Sequence, residues 1–234
     1  MKKLLLFVVA IFIVNISFSQ VYIGPRLGLN IASYTGKHSK NDDSKHGSVI
    51  GMQAGFVTDM HFSDMMSLQF EFLYLQKGGY EEYEGSLGSF KTTSSYNSLE
   101  IPVLLKLTFG DKVKFYGNAG PYFNFNLGGD YQMETTIGNT TTTSNGKIIF
   151  DEAPKNYIGD DEYLDPEKYS RFDTGLYIGG GLGMKFGPGV LSFDIRYGMG
   201  FIDFNKDSSV KDADGYEAFK NKNLSLTVSY MFGG

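Results

Sequence analysis

V-L-S-F-D-I-R-Y, residues 190–197, decides how the chain is to be read. Leu191, Phe193, Ile195 and Tyr197 alternate with Ser192, Asp194 and Arg196. Successive side chains on a strand point to opposite faces, so one face meets an apolar medium and the other a polar one. The same alternation recurs in S-L-Q-F-E-F-L-Y (67–74), where Leu68, Phe70, Phe72 and Tyr74 oppose Gln69, Glu71 and Leu73. In S-L-E-I-P-V-L-L-K-L (98–107), Leu99, Ile101, Val103, Leu105 and Leu107 oppose Glu100, Pro102, Leu104 and Lys106. In N-L-S-L-T-V-S-Y-M-F (223–232), Leu224, Leu226, Val228, Tyr230 and Phe232 oppose Ser225, Thr227 and Ser229.

Outward from these stretches, the pattern predicts eight strands near 21–32, 48–60, 66–80, 95–109, 113–128, 172–187, 190–204 and 222–232. They exceed the ~5–6 residues of a usual soluble strand and suffice for the ~9–11 residues of a tilted bilayer crossing. Their connections alternate in length. Short ones fall at 61–65, 110–112 and 187–189, and long ones near 33–47, 81–94, 129–171 and 205–221. Short turns on one side and long loops on the other mark an antiparallel, up-and-down transmembrane β-barrel, all-β in class. An even strand number puts both ends on the short-turn, periplasmic side. The alternation by itself also fits a soluble lipocalin-like barrel with its apolar face inward. Strand length, loop asymmetry and the charged polar faces favour the membrane version.

Composition narrows the remaining classes. The chain has 234 residues, 41% hydrophobic and 15% aromatic, with 30 Gly, no Cys and no Trp. Its mean hydropathy is −0.19. Without cysteine there is neither a disulfide framework nor a Cys-based zinc site. The aromatic content excludes disorder. Lys2 and Lys3, the apolar run Leu4–Val14 and the small residues around Ser17–Ser19 read as a cleaved export signal over 1–19, with the barrel domain over 20–234. Loss of Lys2 and Lys3 leaves 19 basic against 26 acidic residues, a charge of −7 that argues against nucleic-acid binding.

Arg26, Glu71, Glu100, Lys106, Asp194 and Arg196 share the polar face. An eight-stranded barrel is just wide enough inside for side chains to fill, and buried charges must pair. The expectation is an ion-pair network that plugs the lumen, with a conducting channel as the alternative. Gly175, Gly179, Gly181 and Gly183 share one strand face and let a tightly curved sheet close around large neighbours. Gly181-Leu-Gly183 continues as Met-Lys-Phe, which breaks a phosphate-loop frame.

In the third long loop, Asn145-Gly146 signals a hairpin pairing Met133–Thr143 with Lys147–Phe150. The stretch 151–173 carries eight acidic and three basic residues and lacks the spaced carboxylates of a calcium loop. His38 and His46 share a loop with Asp42 and Asp43, the one place a membrane hydrolase could draw a general base. No serine stands in a nucleophile frame, and the expectation is no enzyme and no cofactor. Tyr22, Tyr34, Tyr80, Tyr83, Phe90, Tyr96, Phe109, Tyr122 and Phe204 lie near strand ends, as interfacial girdles do.

Five stretches carry a family resemblance: G-P-R-L-G-L-N-I-A (24–32), L-E-I-P-V-L-L-K (99–106), Y-G-N-A-G-P-Y-F (116–123), D-T-G-L-Y-I-G-G-G-L-G-M (173–184) and D-I-R-Y-G-M-G (194–200). Together the chain resembles, from about 21 to 232, the PorT-like outer-membrane β-barrel domain of Bacteroidetes. The resemblance implies an eight-stranded outer-membrane barrel and hands over no active site, since most of that family has no assigned chemistry. Leu224, Leu226, Val228, Tyr230 and Phe232 further resemble the terminal-strand signal read by barrel assembly machinery, although Gly233-Gly234 trails the usual final aromatic. The expected partners are outer-membrane lipid, that machinery, and an envelope or extracellular protein met through the loops. The expected state is monomeric.

Overall fold

The computed structural model describes residues 20–40, 43–86, 88–150, 163–164, 169–206 and 211–233. The leader reading of 1–19 and most of the acidic stretch, 151–162 and 165–168, fall outside them. Within them lie strands β1 (Gln20–Lys37), β2 (Lys45–Gly47), β3 (Val49–His61), β4 (Met66–Gly85), β5 (Gly88–Phe109), β6 (Val113–Ile137), β7 (Thr140–Ile148), β8 (Tyr163–Leu164), β9 (Phe172–Phe186), β10 (Gly189–Gly200) and β11 (Glu217–Gly233).

Eight of them, β1, β3, β4, β5, β6, β9, β10 and β11, form a closed antiparallel ring in chain order, with β1 pairing β11 to shut it. Closure removes every free edge from the apolar layer, where no water can satisfy one. At the seam Tyr22 lies opposite Gly233. Gly233 has φ +141°, and a Cβ there would lie 2.0 Å from the Val21 carbonyl oxygen. The trailing glycine is thus what lets the last strand finish against the first.

The faces are inverted relative to a soluble protein. Ile50, Met52, Phe56, Phe115 and Phe193 are exposed on the outside, while Arg26, Asn30, Glu71 and Glu100 are buried within. The soluble, apolar-cored alternative is thereby excluded. Leu226, Val228 and Phe232 of β11 face outward too, and inward lie Asn221, Asn223, Ser225, Thr227 and Ser229.

The wall is uneven in height. β4, β5 and β6 have 20, 22 and 25 residues, twice or more the ~10 that cross a membrane. Their upper parts, with β7, form a sheet standing above the barrel. The segment 81–94, read from sequence as a loop, is instead the tip of the β4–β5 hairpin, which turns between Gly85 and Gly88. Above the membrane both faces of a strand meet water, so no apolar stripe marks it.

The β6–β7 hairpin turns at Gly138-Asn139, where Gly138 has φ +58°, and not at Asn145-Gly146. Asn145 and Gly146 lie within β7, opposite Gln132 and Tyr131. This register sends Ile148 inward, with Phe150 beyond it, to pack against Tyr131 and Tyr96. Core packing outweighs the local turn preference.

A charged lumen beneath an aromatic lid as the candidate functional site

The lumen is built in tiers, because inward positions of neighbouring strands meet at fixed register. Nearest the short turns, Lys106 Nζ donates to Asp59 Oδ2 at 2.7 Å and sits 4.1 Å over the Tyr116 ring. His61 Nε2 approaches the same carboxylate at 3.6 Å.

One tier higher is a four-membered charge box. Arg26 reaches Glu71 at 2.9 Å and Asp194 at 3.0 Å. Arg196 reaches the same two carboxylates, each at 2.8 Å. Tyr116 and Asn118 donate to Asp194, and Gln69 donates to Glu71. The glycines of β9 make this box fit. A Cβ at Gly179 would stand 2.7 Å from Arg196 Cγ, and one at Gly181 would stand 2.7 Å from the Tyr116 hydroxyl.

Above the box, Lys77 donates to Glu100 at 2.6 Å, Tyr177 donates to Glu100, and Asn223 donates to Tyr177 and Asn30. Higher again, Asp173 accepts from Tyr122 and Asn221, and Tyr96 donates to Asn221. Asp173 therefore belongs to the barrel and not to an acidic loop.

Of the six charges expected inside, Arg26, Glu71, Asp194 and Arg196 come together. Glu100 and Lys106 stand on separate tiers with partners the sequence reading did not name, Lys77 and Asp59. The signal for both was parity: on β4, Lys77 shares the odd-numbered face with Gln69 and Glu71. An isolated buried ion is costly, whereas paired and hydrogen-bonded ions are tolerated. Pro102 and Pro121 sit on neighbouring strands at breaks in the ladder: the β4–β5 pairing skips Glu71 and Phe72. Without an N–H, each proline requires such a gap.

A lid of aromatic side chains closes the upper end. Phe204, from the β10–β11 connection, lies 5.7 Å from Tyr34, 5.6 Å from Tyr96 and 5.2 Å from Tyr169, with Phe150 edge-on at 6.0 Å. Asp203 holds this connection through Tyr216 Oη and the Phe219 N–H. Four residues expected at the lipid interface are thus inside: Tyr96 and Tyr122 are 1% exposed, and Tyr34 and Phe204 pack in the lid. Phe109 is exposed at the short-turn end, whereas Tyr83 and Phe90 are exposed on the raised β4–β5 hairpin, above the apolar layer. His38 pairs with Glu81 at 3.1 Å, and His46 contacts Ser44; Asp42, weighed with them from sequence, lies outside the described residues.

An inverted eight-strand ring with paired charges inside is the arrangement of a barrel bathed in lipid. The sequence matches the family model for the outer membrane protein beta-barrel domain over residues 17–206. The chain belongs to this outer-membrane β-barrel family. Similar solved structures include Neisserial surface protein A, at 15% identity over 89% of this chain and 95% of that one, with a TM-score of 0.40. The attachment invasion locus protein Ail of Yersinia pestis matches at 13% identity over 90% and 98%, with a TM-score of 0.37. OprG of Pseudomonas aeruginosa matches at 11% identity over 92% and 95%, with a TM-score of 0.46. No curated protein sequence matches the chain. As a member of this family, the barrel sits in the outer membrane.

Proposed function

We propose that this barrel is a sealed membrane anchor whose work is done at the cell surface, by contact of its raised β4–β7 sheet with an envelope or extracellular protein. The observation that carries the reading is the stack of paired charges under the Phe204 lid, which fills the bore with side chains from the Lys106–Asp59 tier upward. The raised sheet supplies a contact surface. On the far side of β7, β8 pairs only with Lys147 and Ile148, and among the described residues Thr140–Gly146 offers an open strand edge, a ready template for backbone pairing.

The motifs at 99–106 and 116–123 support the finer, PorT-like assignment, and the run at 1–19 supports export by a cleaved signal. Ring closure supports a monomer in the membrane. Planar-bilayer recording tests the sealed bore. The expected trace is silent, and stable large-conductance openings would overturn the anchor reading in favour of a channel.

A further inference from the structure

The short-turn end of the barrel holds a cavity of about 430 Å³ that the sealed-anchor reading does not use. Lys106, Lys112, Lys114 and Lys185 line it, against Asp59 and Asp111. Lys106 is engaged by Asp59. Lys112, Lys114 and Lys185 make no ion pair among the described residues. Lys114 and Lys185 lie on inward positions of β6 and β9, so their ammonium groups converge on the mouth and not on lipid. This is local positive charge on a chain whose formal charge is −5.

The floor is built as well as charged. Thr108 and Ser192 line the cavity, are 5% and 1% exposed, and their hydroxyls have no hydrogen-bond partner among the described residues. Gly183 lies between Lys114 and Ser192 in the register, opposite both. A Cβ on Gly183 would come 3.2 Å from the Ser192 hydroxyl, so the glycine keeps open the space between an ammonium and a hydroxyl donor. Buried donors without partners are costly, and a ligand with several acceptor oxygens satisfies them together.

We infer that the periplasmic mouth of the barrel is a binding site for a phosphate group, held by Lys112, Lys114 and Lys185 and by the hydroxyls of Thr108 and Ser192. Lysines act on phosphate as mobile point charges, and charge-assisted hydrogen bonds are the strong ones. A phosphate carries enough oxygens and charge to meet all five groups. The cavity is several times larger than the phosphate itself and accommodates the glycerol or sugar that bears it. Two sources present this chemistry here. One is the headgroup of a periplasmic-leaflet phospholipid, since Phe109, Phe115 and Phe186 face lipid at this same end. The other is a soluble periplasmic phosphate ester.

The full chain, folded in a phosphate-free maltoside detergent, is titrated by calorimetry with glycerol 3-phosphate and, separately, examined by native mass spectrometry with phosphatidylglycerol. The triple variant Lys112→Gln/Lys114→Gln/Lys185→Gln is expected to weaken whichever probe binds at least tenfold. Lys91→Gln/Lys147→Gln, on the raised sheet, is expected to leave binding unchanged. Gly183→Val keeps every charge and fills the cradle, and it too is expected to weaken binding; heat-modifiable gel mobility certifies that each variant is folded. Binding of glycerol 3-phosphate assigns the soluble source, and binding of phosphatidylglycerol alone assigns the headgroup. The inference is overturned if neither probe binds, if the triple variant binds as well as the parent, or if Gly183→Val binds undiminished, which would mean charge without a site.

Discussion

Lys77 and Glu100 meet at 2.6 Å inside the barrel, the ammonium from β4 and the carboxylate from β5, both essentially closed to solvent. Lys77→Met leaves Glu100 buried with, among the described residues, the Tyr177 hydroxyl as its remaining hydrogen-bond donor, and breaking such a pair costs about 3–5 kcal/mol. Lys77→Met/Glu100→Leu removes both charges and is expected to recover at least half of that loss. Urea unfolding in lipid vesicles reads the two values; strictly additive losses would contradict the pairing.

Phe204 touches four rings of the lid. Phe204→Ala is expected to cost up to about 3 kcal/mol, as large-to-small changes in packed aromatic clusters do. The charged tiers beneath are untouched, so the variant should unfold at lower temperature yet stay silent in planar bilayers. If steady conductance appears, the lid and not the charges is the seal.

Gly181 faces the Tyr116 hydroxyl across a gap that has no room for a Cβ. Gly181→Leu should therefore block closure around the charge box and abolish the heat-modifiable band of the folded barrel. Leu182→Ala, one residue away on the lipid side, should leave that band in place.

Outside the membrane, Glu81 is pushed up by burial, and this is outweighed by the hydrogen bond and charge of His38, so its carboxyl titrates below the ordinary 4.5. A depressed carboxyl adds stability above its unfolded value and loses it as pH falls through the folded value. The contribution of the Glu81 carboxylate is therefore expected to be lost as pH falls below about 4.5. Carboxyl NMR should show the Glu81 midpoint below 4.5 in the parent and higher in His38→Ala.

What could be read from residues alone follows from where the membrane lies. At the level of the apolar layer a strand must alternate, and Leu191–Tyr197 and Leu224–Phe232 do so plainly. β3 alternates less clearly, because Val57 points inward and Thr58 outward, and Asp59 was not recognised as the partner of Lys106. In the raised sheet, Thr92–Ser94 carries no apolar stripe and reads as loop, while the Asn145-Gly146 signal marks a β6–β7 hairpin but misplaces its turn, which falls at Gly138-Asn139. Tyr96 and Tyr122 were placed at the interface by their position near strand ends. Their parity with Ser98 and Asn124 puts them inside instead. Phe204 had no local signal, since its place over the bore depends on how a connection folds back across the whole ring.

The pairing of β1 with β11 joins residues about 200 positions apart, Arg26 to Ser229 among them. Contacts so distant in sequence form late and slowly. Until Leu224–Phe232 arrives, both β1 and β10 carry unpaired backbone that the apolar layer cannot tolerate. Assembly is therefore governed by its final step: a chain stalled before its last strand is no smaller barrel but an open sheet the bilayer rejects.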